Sequence, residues 1–93
     1  MAPDWVQREH EEMHVEAARA LIADHLAVGL EAVRDDAAFA TDLGADSLDM
    51  IELAMRFEEA FDIHIPDDET ASCETVRDAL TLLRSKVVVS KAA

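Results

Sequence analysis

Residues 47–61, SLDMIELAMRFEEAF, carry more apolar side chains than one buried helix face can use. On a helix, Met50, Ala54, Phe57 and Phe61 fall at i, i+4, i+7 and i+11, with Leu53 beside them. That spacing makes an ordinary core face. Leu48, Ile51 and Met55 fall at i, i+3 and i+7 on a different side, flanked by Asp49, Glu52, Glu58 and Glu59. Two architectures accommodate such a segment. Either the helix is central and buries both stripes, or one stripe stays exposed inside an acidic rim, the anatomy of a protein-binding face.

The rest of the chain reads as helix too. With 2 Gly, 2 Pro and no Tyr among 93 residues, and Ala and Leu dominant, the composition fits a small all-α bundle in one domain. Residues 4–28 are expected to form a first helix, with Asp4 and Gln7 as an approximate capping box and Gly29 as its stop. Val15, Ala18, Leu21, Ile22 and Leu26 give it one buried stripe. Residues 29–46 form a long connection expected to pack through Leu30, Val33, Phe39 and Leu43, with Gly44 supplying a permissive backbone near its end. Pro66 ends the second helix, and Asp67 is placed to cap a short third one around residues 68–72. A fourth runs over residues 75–86, with Val76, Ala79, Leu80 and Leu83 inward. The division expected is an N-terminal extension at 1–14 that frays, a core domain at 15–86, and a flexible tail at 87–93.

Charge narrows the function. The formal net charge is −13, and residues 35–69 hold 12 acids against one base, Arg56, or −11 of that total. Such a surface repels phosphate backbones and anionic lipids, so nucleic acid and membrane surfaces are poor partners and basic protein patches are good ones. The single cysteine, Cys73, permits no internal disulfide and suits a reducing compartment. No stretch is apolar enough to span a membrane, and the charged N-terminus does not read as a secretory signal. A cytoplasmic monomer is expected.

Ser47 opens the second helix, so it is either a simple cap or something more. Helix N-termini attract phosphate through free N–H groups and the helix dipole. No histidine follows nearby to act as its base, and Asp46 is too acidic to take a hydroxyl proton well at neutral pH. Ser47 is therefore a poor nucleophile and a good attachment point. HEEMH at residues 10–14 matches the short His-Glu-x-x-His zinc pattern, but no third ligand is placed by any motif. No metal centre is read from it beyond adventitious binding by His10 and His14.

Residues 42–69, DLGADSLDMIELAMRFEEAFDIHIPDDE, strongly resemble the acyl carrier proteins of fatty acid and polyketide synthesis. Asp-Ser-Leu alone is weak. The extended pattern of Leu-Gly-x-Asp-Ser-Leu, Glu-Leu, an acidic pair, Phe and Ile-Pro-Asp is highly specific, and the likeness continues loosely over residues 15–86. The resemblance implies a carrier-type bundle of three main helices plus a short one, with a long first loop. It implies a 4'-phosphopantetheine arm on Ser47, bearing acyl groups as thioesters, with Asp46 helping to position the metal-bound cofactor donor. A phosphopantetheinyl transferase would attach the arm, taking it from coenzyme A. Leu48, Asp49, Ile51, Glu52, Met55 and Glu58 would form the helix read by partner enzymes. Leu53, Ala54, Phe57, Ile65, Cys73 and Ala79 are the residues it suggests for an acyl pocket. The protein would be a carrier and no enzyme, serving fatty acid or related lipid synthesis or, alternatively, a polyketide, peptide or other specialised pathway. From another class, the competitor is an acidic helical interaction module without an arm. Arg56, Cys73 and the residues outside 15–86 depart from the family pattern.

Overall fold

Helix-forming residues with few breakers produce four α-helices among the described residues: α1 (Asp4–Leu26), α2 (Ser47–Phe61), α3 (Asp67–Ala71) and α4 (Val76–Ala92). A 3-10 turn at Leu30–Ala32 interrupts the first connection. The computed structural model describes residues 4–92, with side chains from His14 to Val87. His10, the Asp4–Gln7 cap and Trp5 thus lie outside the described side chains, whereas His14 meets the Phe61 ring edge-on. α2 packs on α1 and α3, and α1 packs on α4. The only sheet-like pairing among the described residues is an isolated antiparallel bridge between Ala38 and Thr75. The all-α bundle of three longer helices and a short one, with a long first loop, is the architecture the sequence implies.

Ile22, Leu53, Val76 and Leu83 form the centre, each essentially sealed from solvent. Burying side chains of this size contributes about 1.5–3 kcal/mol apiece. The long loop adds Val33, Phe39 and Leu43, and also Ala37 and Ala45. Leu30 does not join them: it opens the 3-10 turn and is 58% exposed. The correction has a simple cause, since the turn aims Leu30 outward and lets Val33 take the core position.

Helix ends differ from expectation in small ways. α1 stops at Leu26, ahead of Gly29, because Ala27 enters the left-handed region (φ 56°) and Val28 N–H bonds to the Ala23 carbonyl at 3.0 Å. That is the hydrogen bond of a left-handed helix stop, made here without glycine. α2 ends the same way at Asp62 (φ 53°), with Ile63 N–H on the Glu58 carbonyl at 3.2 Å. Pro66 rather than Asp67 is the N-cap of α3, and no side chain caps it. α4 continues to Ala92 where the sequence placed its end at Lys86, since residues 87–92 contain neither Gly nor Pro to break it.

The loop is fastened at both sides. Arg19 of α1 donates to the Val33 carbonyl at 2.6 Å and to the Asp35 carboxylate. At the other side, Phe39 N–H bonds to the Glu74 carbonyl at 2.9 Å and Val76 N–H to the Ala37 carbonyl at 3.0 Å. A reciprocal cap starts α4: Asp78 accepts from Glu74 N–H (3.0 Å) and Thr75 N–H (3.1 Å), while Thr75 Oγ1 accepts from Asp78 N–H (3.3 Å).

Candidate functional site

The approach to Ser47 is built by a short run of backbone bonds. Asp42 and Leu43 N–H groups reach the Ala38 carbonyl at 2.9 and 3.1 Å, and Ala45 N–H reaches the Phe39 carbonyl at 2.8 Å. Asp42 Oδ2 accepts from Ala38 N–H at 2.8 Å. Gly44 sits at φ 70°, and a Cβ there would meet nothing within 4 Å. The glycine is required by its backbone angle and not by space. Together these contacts turn the chain into α2 with Asp46 extended.

Asp46 is the N-cap. Its Oδ1 accepts from Asp49 N–H at 2.8 Å, and Asp49 Oδ2 accepts from Asp46 N–H at 3.1 Å, a complete capping box. The plain role available to Ser47 is therefore already filled by its neighbour. Ser47 is exposed at the first helical position, where backbone N–H groups have no acceptor within the helix.

Beyond it, α2 answers the question of its two stripes. Leu53 and Phe57 are buried, with Met50, Ala54 and Phe61 half-buried beside them. Leu48 (61% exposed), Ile51 (45%) and Met55 (56%) stand in solvent. Glu52 is exposed alongside this strip. Asp49 is half-buried and engaged in the cap. Glu58 is engaged elsewhere: Oε2 accepts from Ile65 N–H at 2.8 Å and lies 3.2 Å from His64 Nδ1, bracing the α2–α3 connection. Arg56 pairs with Asp24 of α1 at 3.1 Å.

Leu53, Ala54, Phe57, Ile65, Cys73 and Ala79 come together on one apolar cavity, joined by Phe39, Met50, Thr70 and Leu82. The cavity measures about 20 Å³, room for roughly one water-sized group. A surface cleft lined by Asp46, Ser47, Met50, Ile51, Thr70 and Cys73 runs beside it. Phe39, Met50, Thr70 and Cys73 are walls of both, so the cleft leads from Ser47 to the cavity mouth between α2 and α3. Sequence reasoning missed Phe39, Met50, Thr70 and Leu82 as cavity residues. Burial, and then the carboxylates of Asp78 and Glu69, push the Cys73 thiol above its ordinary value, so it stays protonated and packs as an apolar group.

Residues 16–83 match the family described as "Phosphopantetheine attachment site". The chain is 47% identical over 73 residues to the acyl carrier protein of Thermosynechococcus vestitus, covering 78% of this chain and 90% of that one. It is 47% identical over 72 residues to the acyl carrier protein of Caulobacter vibrioides, covering 77% and 92%. The crystal structure of an acyl carrier protein from Thermotoga maritima superposes with a TM-score of 0.73 at 26% identity, covering 86% of this chain and 93% of that one. On this evidence the chain belongs to the acyl carrier protein family: it bears phosphopantetheine and carries acyl groups without catalysing their chemistry.

Proposed function

We propose that Ser47 carries the phosphopantetheine arm and that the chain presents thioester-bound acyl intermediates of fatty acid or related lipid synthesis to its partners. Family membership brings a phosphopantetheinyl transferase and acyl-handling enzymes as those partners. The observation that carries the assignment of Ser47 is its release from capping: Asp46 fills the N-cap, and the serine hydroxyl stands exposed at the head of a cleft. First-turn N–H groups and the dipole of α2 favour the phosphodiester there. Asp46, whose Oδ2 takes no part in the cap bond, is offered as the carboxylate that positions the metal-bound donor during loading.

Leu48, Ile51 and Met55 form the apolar centre of the docking face, and Asp49, Glu52 and Glu58 contribute its acidic field. Two copies of α2 would bring like charges together, so this face suits a basic partner surface and leaves the carrier a monomer. Its place of work is the cytoplasm, a reading that rests on the lone cysteine and the charge pattern. Leu53, Ala54, Phe57, Ile65, Cys73 and Ala79 are the walls an acyl chain would part as it enters. At about 20 Å³ the cavity admits no chain as it stands, so cargo must displace α3 or α2 side chains to enter. The carrier unit proposed spans residues 15–86.

The test is intact mass after incubation with coenzyme A, Mg²⁺ and a broad-specificity phosphopantetheinyl transferase, with wild type beside Ser47→Ala. Wild type should gain one phosphopantetheine and the variant none. Gain in both would move the attachment elsewhere; gain in neither, with helicity intact, would favour the interaction module instead.

A further inference from the structure

Where the last turn of α1 meets the first two turns of α2, three potential metal donors converge. His25, Asp49 and Glu52 each place one ligand atom so that all three lie within 4.8 Å of one another. His25 is largely enclosed, its side chain 15% exposed, and its Nε2 stands 3.8 Å from Glu52 Oε1. We propose that His25, Asp49 and Glu52 form a binding site for one divalent cation that accepts an imidazole nitrogen together with carboxylate oxygens, with Zn²⁺ the best match.

The donor set selects the metal class. Calcium and magnesium take oxygen ligands, whereas zinc takes histidine nitrogen at about 2.0–2.1 Å and carboxylate oxygen at about 2.0–2.2 Å. Around a tetrahedral ion at those lengths, donors sit about 3.4 Å apart. The present span of up to 4.8 Å therefore has to close by roughly 1.4 Å. Glu52, exposed and unburdened by packing, can supply that movement by a rotamer change. Asp49 already accepts from Asp46 N–H, but a carboxylate has lone pairs to spare for a second partner. Three protein ligands leave a fourth position for water.

Local charge points the same way. Asp24, Asp49 and Glu52 face a single guanidinium, Arg56, which leaves −2 when His25 is counted as neutral, and one dication cancels it. His25 also lies in the last turn of α1, where unsatisfied carbonyls and the helix dipole favour a cation. The competitor is Arg56 itself. Its Nη1 lies 3.4 Å from His25 Nδ1, and its Nη2 is 3.1 Å from Asp24 Oδ2. An imidazole ligating through Nε2 carries its proton on Nδ1, so it can no longer accept from Arg56. Metal entry thus releases that contact and leaves Arg56 on Asp24 alone. Occupancy ties α1 to α2 and neutralises two acids of α2, with or without an arm on Ser47.

Titrating Zn²⁺ into the full apo chain by isothermal calorimetry tests the site. Wild type should bind one ion per chain, His25→Gln and Glu52→Gln should each weaken it at least tenfold, and a His10→Gln/His14→Gln double variant should bind as wild type. Arg56→Gln should bind several-fold tighter. Far-UV circular dichroism checks the fold of each variant, and Glu52→Gln, on the surface, keeps the test decisive should His25→Gln misfold. The proposal is overturned if Glu52→Gln or folded His25→Gln binds like wild type, if the double variant alone loses the ion, if Arg56→Gln weakens binding, or if equimolar Ca²⁺ displaces the Zn²⁺.

Discussion

Asp46 caps α2 and is the carboxylate proposed to position the donor's metal, and substitution can separate the two. Asp46→Ala removes the acceptor for Asp49 N–H at 2.8 Å, leaving only the reverse half of the capping box at 3.1 Å. Losing an N-cap oxygen costs about 0.5–2 kcal/mol, typically about 1. At about 2.1 cal/mol/K of unfolding entropy per residue, a chain of 93 residues converts 1 kcal/mol into a fall of about 5 °C in Tm. Asp46→Asn keeps a side-chain oxygen of equal capping rank and loses only the charge, so its Tm should stay within about 2 °C of wild type. Thermal melts followed by circular dichroism at 222 nm give both values on the apo protein. An Asp46→Ala variant melting within about 1 °C of wild type would refute the capping assignment, as would an Asp46→Asn variant that melts as low as the alanine. Loading with phosphopantetheine, read by intact mass over time, addresses the proposed second role. If the carboxylate positions the donor's metal, both variants load slowly; an asparagine variant that loads at the wild-type rate would reduce Asp46 to a cap.

Leu53→Ala, at a position 1% exposed, should lower stability by about 2.7–5 kcal/mol in urea unfolding, and a loss under about 1 kcal/mol would mean the wall is already slack. The N–H groups of Glu74 and Thr75 hold the Asp78 carboxyl below its ordinary 3.8, and the Arg19 guanidinium does the same for Asp35. Both acids then contribute stability that is complete above about pH 4 and is lost as pH falls through their lowered folded values. Asp78→Asn should accordingly melt below wild type at neutral pH and converge on it as the pH falls through the lowered value of Asp78, and parallel curves would contradict the linkage. Cys73, half-buried with its thiol pushed upward by burial and by Asp78 and Glu69, should alkylate with iodoacetamide at pH 8 at least about tenfold slower than glutathione.

Much of this was legible because the informative residues are local. Helical spacing from Met50 to Phe61 needs only neighbours to be read, and the motif around Ser47 is contiguous, whereas α2 stops at Asp62 ahead of the Pro66 expected to end it. Periodicity left open whether Leu48, Ile51 and Met55 were buried, since it reports that a second stripe exists and not what covers it. Leu30 was misjudged because apolar character in a loop does not reveal which way a 3-10 turn points. Ala37 and Ala45 escaped notice as core because alanine carries little hydropathy signal, yet both are buried. Glu58 reads as one more surface acid until its carboxylate is seen holding Ile65 N–H, seven residues on. The meeting of His25 with Asp49 and Glu52 joins positions on separate helices, and no local pattern announces it.

The bridge between the long loop and the start of α4 ties the approach to Ser47 to a distant part of the chain. Phe39 N–H finds the Glu74 carbonyl, and Arg77 N–H finds that of Asp35 at 2.9 Å. Joining residues 39 and 74 closes a loop of 35 positions (74 − 39), which carries an entropy penalty of about 3 kcal/mol. Burial of Phe39 and Val76 on either side of the bridge helps to offset that closure. The turn that delivers Asp46 and Ser47 is thus anchored, through Phe39, to the start of α4. A chain ending before residue 74 should therefore hold the turn ahead of Ser47 less firmly than the full chain, a difference that amide exchange at Phe39 and Ala45 would read.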